Sequence, residues 1–134
     1  MKKFFALLIC LLVVASLLVS CQGSELSSED VYGTYIKKGS DDIDRFYIIL
    51  SPDGTFQYHE TMISSHIGMG DYSVDGNIIT LTEIIDRGEN NVTNRIYKFR
   101  YQDEQLIFIA SGSDKFIYVD LPDGAEFERA QTQE

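Results

Sequence analysis

Hydrophobic and polar side chains alternate along the centre of the chain. Within residues 55–62, Phe56, Tyr58 and Met62 fall on one face, with polar side chains on the other. Successive side chains of a strand point to opposite faces, so this pattern predicts a strand with one buried face. Similar alternation or short apolar runs predict further strands at residues 31–37, 45–51, 71–74, 78–83, 95–101, 106–110 and 116–120.

Short turn sequences separate these segments. Pro52-Asp53-Gly54 and Asp75-Gly76-Asn77 supply the fixed or positive φ angles of tight hairpins. Short links join neighbouring strands antiparallel, and closing the sheet removes exposed edges. The chain therefore predicts an all-β domain, an antiparallel meander of about eight short strands forming a small barrel or rolled sheet. Aromatic residues, 12% of the chain, predict a filled core with at most a shallow mouth.

The N-terminus has the organisation of a secretion signal, predicted as a helical leader over residues 1–20. Two lysines at Lys2 and Lys3 precede a continuous apolar or small run over residues 4–19. The alternative is a permanent membrane-spanning helix, for which the run is marginal because about 20 apolar residues are needed. The run ends in Leu18-Val19-Ser20-Cys21, which resembles the lipobox of bacterial lipoproteins. That resemblance implies cleavage before Cys21 and a diacylglycerol on its thiol.

A lipid on Cys21 implies a protein anchored to the cell membrane or outer membrane and facing the extracytoplasmic side. Gln22, in place of Asp, gives no inner-membrane retention signal. Ser27 or Ser28, followed by acidic residues, predicts one helical turn. The predicted organisation is a signal peptide, a lipidated Cys with a flexible tether, a β-barrel-like domain and a polar tail, at residues 1–20, 21–30, 31–128 and 129–134 respectively.

The charge balance argues against a nucleic-acid partner. The full chain carries a net charge of −10, and without Lys2 and Lys3 it keeps 9 basic and 21 acidic residues, or −12. Phosphate binding needs a basic surface, which this composition does not favour. Cleavage after residue 20 leaves Cys21 as the single cysteine, so no internal disulfide is expected. The sequence has neither a glycine-rich phosphate loop nor a zinc-type Cys/His spacing, so no cofactor is expected.

Residues 61–70 form a longer break than the meander needs. Met62, His66 and Met69, with His59 nearby, offer thioether and imidazole ligands for copper. A hydrolase would instead pair Ser64 or Ser65 with His66, although no nucleophile-elbow motif occurs. The alternative is that this segment has only a structural role, in which case Met62 and Ile67 are core residues and His66 is an exposed loop residue. In that alternative Gly68 and Gly70 permit a bulge.

Two carboxylates on predicted strands offer another kind of chemistry. Glu60 and Glu83 lie near apolar positions and can be read as the acid and base of an envelope hydrolase. The alternative is a pair of carboxylates at the barrel rim. Two carboxylates of unknown separation specify no reaction.

Two resemblances bear on the fold and role of the domain. Gly33-Thr34-Tyr35 resembles the Gly-x-Trp opening of lipocalin-like barrels, with Tyr in place of Trp. Residues 53–82 and 116–124 resemble β-rich extracellular segments of Firmicutes envelope proteins, including tails of beta-lactam-sensor-type membrane metallopeptidases. This resemblance covers residues 35–127 and implies an outward-facing sensing or binding role, with no catalytic residues carried over.

The sequence therefore predicts a lipid-anchored, non-enzymatic envelope domain that binds a small ligand or a protein partner. An envelope hydrolase and a copper- or metal-binding lipoprotein are the alternatives. The candidate binding residues are Tyr35, Ser64, Ser65, His66 and Met69.

Overall fold

The computed structural model describes residues 25–88 and 92–131, and these residues contain a short helix and eight strands. The predicted leader helix and Cys21 lie outside the described residues. No helix in the described part of the chain is long and apolar enough to cross a membrane. The elements are α1 (Ser28–Val31), β1 (Gly33–Lys37), β2 (Tyr47–Leu50), β3 (Thr55–His59), β4 (Gly68–Asp75), β5 (Ile78–Asp86), β6 (Val92–Gln102), β7 (Gln105–Ile109) and β8 (Glu126–Arg129).

The strands close into a barrel. Each pairs antiparallel with the next along the chain, and β8 pairs with β1 through Tyr35 opposite Arg129 and Lys37 opposite Phe127. Each strand within the described residues therefore has two neighbours, so its backbone groups do not form an open edge. The predicted all-β fold of about eight antiparallel strands is confirmed for this part of the chain.

Alternation of side chains explains how the strands build the interior. On β3, Phe56 and Tyr58 are buried while Thr55 and Gln57 are exposed, as the pattern predicts. The preceding hairpin turn is held by Asp53, whose Oδ1 accepts bonds from the backbone N and the hydroxyl of Thr55, at 3.0 and 2.7 Å. Gly54 follows with a φ of +86°, which glycine adopts at little cost.

Aromatic rings fill the barrel. Phe116 stacks on Tyr97 with ring centroids 4.1 Å apart and meets Phe46 edge to face at 4.9 Å. Phe46 in turn meets Phe127 edge to face at 5.1 Å. Burial of each such ring stabilises the fold by about 1.5–3 kcal/mol. The fully buried large side chains are Tyr35, Phe46, Ile48, Leu50, Phe56, Tyr58, Ile79, Leu81, Tyr97, Phe99, Leu106 and Phe127.

The last predicted strand, at residues 116–120, is wrong. The closing strand is Glu126–Arg129, and residues 116–120 belong to the long loop between β7 and β8. The backbone N–H groups of Ile117, Tyr118 and Val119 donate to the Glu60 carboxylate, so they do not join a sheet. Phe116 meanwhile enters the core, where it is 7% exposed.

The bulge expected at Gly68 and Gly70 is also absent from the described register. Residues of β3 and β4 pair without interruption, from Tyr58 opposite Gly68 to Thr55 opposite Asp71. The glycines serve close packing instead. A Cβ on Gly68 would clash with the Tyr58 ring, and one on Gly70 would clash with the carbonyl oxygen of Thr82. Strand β4 therefore begins at Gly68, earlier than predicted.

The two ends of the barrel differ. The terminal end holds α1 and the tight turns after β2, β4 and β6; the Tyr35 hydroxyl donates to the carbonyl of Val31 there, at 2.6 Å. The predicted helical turn is confirmed, and the Asp30 carboxylate accepts bonds from the backbone N and hydroxyl of Ser27, both at 2.8 Å. The distal end carries the longer loops after β1, β3 and β7. The described chain therefore enters the barrel through α1, at the end opposite these loops.

Candidate functional site at the distal end

A buried carboxylate lies inside the distal half of the barrel. Glu83 points inward from β5 and is 3% exposed. Its Oε2 accepts hydrogen bonds from the hydroxyls of Tyr58 at 2.9 Å and Tyr97 at 3.0 Å. Burial raises the pKa of both hydroxyls, and the nearby carboxylate raises it further. Both tyrosines therefore remain neutral donors to Glu83.

His66 and Arg95 complete this group of polar side chains. The Nε2 atom of His66 lies 3.5 Å from Glu83 Oε1. Arg95 stands directly opposite Glu83 in the β5–β6 register. Burial lowers the pKa of the Arg95 guanidinium, but Tyr97 and Glu83 outweigh it, so the net pKa is raised and Arg95 stays charged. We call Tyr58, His66, Glu83, Arg95 and Tyr97 the interior polar cluster.

A second buried carboxylate fixes the β7–β8 loop. Glu60 is 1% exposed. Its Oε1 accepts a bond from Ile117 N at 3.0 Å, and its Oε2 accepts bonds from Tyr118 N at 2.6 Å and Val119 N at 2.9 Å. Hydrogen bonds to a charged group are stronger than neutral ones, so this contact holds the loop firmly. The sequence suggested that Glu60 and Glu83 could act together as an acid and a base. In the structure, each carboxylate has its own set of hydrogen-bond partners.

The serines of the β3–β4 loop do not form a nucleophile–base pair. The Oγ atom of Ser64 accepts a bond from the backbone N of His66 at 3.0 Å, which is a local turn contact. Ser65 is exposed. The imidazole of His66 faces Glu83 instead.

The proposed copper ligands differ in their exposure and contacts. Met62 and Met69 are both more than half exposed, whereas His66 turns toward the interior polar cluster. His59 stacks on Tyr47 with ring centroids 5.5 Å apart. Among the described residues, no group of three or more His, Cys, Asp or Glu side chains is arranged to hold a metal ion.

The alternative interpretation, in which this loop has only a structural role, also predicted the wrong burial for three of its residues. Met62 and Ile67, expected in the core, are exposed, and His66, expected to be exposed, is partly buried. The reason is that β3 ends at His59, after which Glu60 turns inward to bind the β7–β8 loop. The alternation of residues 55–62 therefore does not continue to Met62.

Tyr35 lies away from these groups. It is fully buried, and its ring packs beneath the Arg129 guanidinium, whose central carbon is 5.6 Å from the ring centroid. Burial raises the pKa of its hydroxyl, with Arg129 opposing that shift. Of the candidate residues, the structure thus brings His66 into the distal polar cluster and places Tyr35 in the core near the terminal end.

Exposed apolar side chains are concentrated on three distal loops. Hydrogen bonds join the three loops that carry these side chains: Met62 N donates to Ile43 O at 3.0 Å, and the Glu60 carboxylate accepts bonds from the N–H groups of Ile117 and Tyr118. The Tyr118 ring also lies 6.3 Å from His66. We call this surface the apolar rim; its members are Ile43, Met62, Ile63, Ile67, Ile117 and Tyr118.

The described residues line surface cavities at both ends of the barrel. A cavity of about 180 Å³ under the β7–β8 loop is lined by Phe108, Phe116 and Leu121 together with polar loop residues. This is below the range of about 300–1,000 Å³ typical of small-molecule sites. A larger cleft of about 610 Å³ lies at the terminal end beside Tyr32, Thr34 and Arg129. Among the described residues, the distal end therefore has an exposed surface and only a small cavity.

Comparisons with protein-family models, curated proteins and solved structures find no match to this chain. The resemblance to Firmicutes envelope segments therefore stays a sequence-based expectation. The sequence analysis selected His66 and Glu83 separately but missed the two tyrosines that bind Glu83, Tyr58 and Tyr97, and the neighbouring Arg95. Their inward positions on β3 and β6 were the available signal, because polar groups on a buried face must meet one another.

Proposed function

We propose that this protein is a lipid-anchored, non-enzymatic β-barrel domain of the bacterial envelope that binds a protein partner. The observation that carries the proposal is the apolar rim, which lies on loops at the end opposite the N-terminus. Clustered exposed apolar side chains are typical of interaction sites, whereas scattered ones are not. The rim is therefore the surface through which the partner binds.

The anchor gives this surface its orientation. Lipid on Cys21 would hold the terminal end toward the bilayer, because the chain enters the barrel there through α1. The rim would then point away from the membrane and stand open to other envelope proteins. The lipobox sequence supports this arrangement.

The packing of the interior supports a surface partner over an enclosed ligand. Aromatic rings occupy the middle of the barrel, and Phe116 closes it from the distal side. The two buried carboxylates support a binding role over catalysis, since both oxygens of Glu60 bind backbone N–H groups. Glu83 in turn binds two tyrosine hydroxyls.

Site-specific photo-crosslinking in living cells tests the proposal. A photoreactive amino acid replaces Ile63, which is 81% exposed on the rim, or Ile84, which is 53% exposed on the outer face of β5. We expect the Ile63 position to crosslink one protein, identified by mass spectrometry, that the Ile84 position does not. The absence of any crosslink at Ile63, or the same products at both positions, would overturn partner binding through the rim.

A further inference from the structure

The loops that carry the apolar rim are also rich in exposed carboxylates. Lys38, Arg45 and Lys115 are the basic residues of the loops at residues 38–46, 60–67 and 110–125. The exposed acidic residues of the same loops are Asp41, Asp42, Asp44, Asp114, Asp120 and Asp123. The rim is therefore bordered by an excess of negative charge.

Much of the positive charge in these loops is already neutralised. Lys38 Nζ lies 3.0 Å from Glu126 and 3.4 Å from Glu128, both outside these loops. Arg45 lies 3.5 Å from Asp42, so that pair cancels and leaves five exposed aspartates against Lys115. The net charge of the whole chain, −10, adds to the negative potential around the rim. A partner that covers the rim must tolerate or complement this potential.

From this combination we infer that the rim binds a cationic protein segment, one with an apolar face flanked by Lys or Arg. The inference rests on the proposed function and specifies its partner. Apolar side chains of the segment would cover exposed rim residues such as Ile63 and Tyr118, while its basic groups would meet the aspartates of the same loops. Charge thus selects the partner, and the rim supplies the buried contact.

The same charges disfavour two other occupants. A second copy of the chain would bring one acidic border against another, and an anionic lipid surface would be repelled in the same way. The rim also lies on the end away from the lipidated N-terminus. A cationic protein segment is not repelled by these charges and does not need the rim to face the membrane.

The loops are held in place before any partner arrives. Glu60 fixes residues 117–119, and the bond from Met62 N to Ile43 O joins the other two loops. A surface that is already ordered loses less conformational freedom on binding. The rim is therefore suited to bind without rearrangement.

Peptide binding to the full chain in phosphatidylcholine nanodiscs tests the inference. The probes are a fluorescent amphipathic peptide of Leu and Lys and the same peptide with Glu in place of Lys, measured by anisotropy against empty nanodiscs. We expect the Lys peptide alone to bind. We also expect its affinity to fall when salt is raised from about 0.01 to about 0.15 M, which shortens the Debye length from about 30 to about 8 Å.

Paired variants separate the rim from general acidity. Two double variants, I63S/Y118S and D44N/D120N, each change the distal end, and each should weaken binding of the Lys peptide by about tenfold or more. The controls are I84S, an exposed apolar residue on β5, and D75N/D103N, exposed acids at the terminal end; we expect both to bind as the wild type does. Equal loss in the controls, or equal binding of the Glu peptide, would overturn the inference.

Two further outcomes would identify a different occupant. Rim-dependent dimers in sedimentation, lost in I63S/Y118S, would show that a second copy binds. Rim-dependent flotation with phosphatidylglycerol vesicles would show that a lipid surface binds. If Ile63 crosslinks a protein in cells while the Lys peptide fails to bind, the inference is wrong and the proposed function stands. If Ile63 crosslinks nothing, the proposed function itself fails.

Discussion

The carboxylate of Glu60 accepts hydrogen bonds from three consecutive backbone N–H groups of the β7–β8 loop. These donors face the barrel and would be costly to leave unpaired. One side chain on the segment after β3 thus determines the path of a loop that is distant in sequence. The apolar side chains of Ile117 and Tyr118 reach the surface because their backbone groups are fixed in this way.

Substitution of Glu60 tests this role. We expect E60Q to lower the free energy of unfolding by about 2–3 kcal/mol, because the amide has one acceptor oxygen and no charge to offer three donors. Urea denaturation measures the loss. The control is E128Q, a surface carboxylate beside Lys38, which we expect to change stability by about 0.5 kcal/mol or less. Equal small changes in the two variants would contradict the role assigned to Glu60.

Buried tyrosines make the fold sensitive to alkaline pH. The pKa values of Tyr35, Tyr58 and Tyr97 are raised above the usual 10.0, with burial as the largest cause. The folded state therefore holds these protons more tightly than the unfolded state. Their contribution to stability is fully present below pH 10 and is lost as the pH rises above it.

Titration of tyrosinate absorbance checks this expectation. The chain has eight tyrosines. We expect the buried hydroxyls of Tyr35, Tyr58 and Tyr97 to ionise in one step together with loss of the fold, because burial raises the pKa of each. Independent ionisation of every tyrosine near pH 10, with the circular dichroism spectrum unchanged, would contradict the burial of Tyr58 and Tyr97.

At the level of the element, residues 116–120 show how a strand-like sequence becomes a loop. A paired strand would place Phe116 and Tyr118 on the same face. In the barrel, Phe116 packs on Tyr97 and Phe46, whereas Tyr118 lies mainly in solvent. The two side chains therefore have unequal energetic roles.

Alanine substitutions distinguish the loop from the strand. We expect F116A to cost about 3–5 kcal/mol, because it removes a ring from the packed core. Y118A should cost about 0.5 kcal/mol or less, since this ring is mostly exposed. Thermal or urea unfolding of both variants measures the difference. A cost for Y118A as large as that for F116A would indicate a strand with both rings buried.

Local pattern was sufficient to predict most of the barrel. The alternation in β3 and the turn at Pro52-Asp53-Gly54 depend on neighbouring residues, and both are found as expected. The path of residues 116–120 depends on Glu60, which is 57 positions from Ile117 in the chain. A contact between residues so far apart in the chain produces no local sequence pattern. The pattern therefore predicts the last strand at residues 116–120, whereas the closing strand is Glu126–Arg129.

The candidate site was only partly predictable for the same reason. The sequence identifies His66 as a loop imidazole and Glu83 as a strand carboxylate. It does not predict their contact, because that contact depends on the register of several strands. Tyr58 and Tyr97 look like core residues until that register brings their hydroxyls to Glu83. The apolar rim combines three loops, so no single segment of the sequence indicates it.

For the molecule as a whole, the proposed function assigns one end of the barrel to attachment and the other to recognition. The terminal end receives the chain through α1, and the distal end presents the apolar rim between acidic loops. This division has a functional meaning if the N-terminus is fixed to a membrane. The proposed orientation of the rim therefore depends on the proposed modification of Cys21.

Mass spectrometry of the protein purified from bacterial membranes tests that dependence most directly. We expect the chain to begin at Cys21 and to carry a diacylglycerol on its sulfur. C21S should lack the lipid and keep its leader, while C10S should be modified normally because its cysteine lies within the leader. A wild-type protein with the leader intact and a free Cys21 thiol would contradict the anchored orientation.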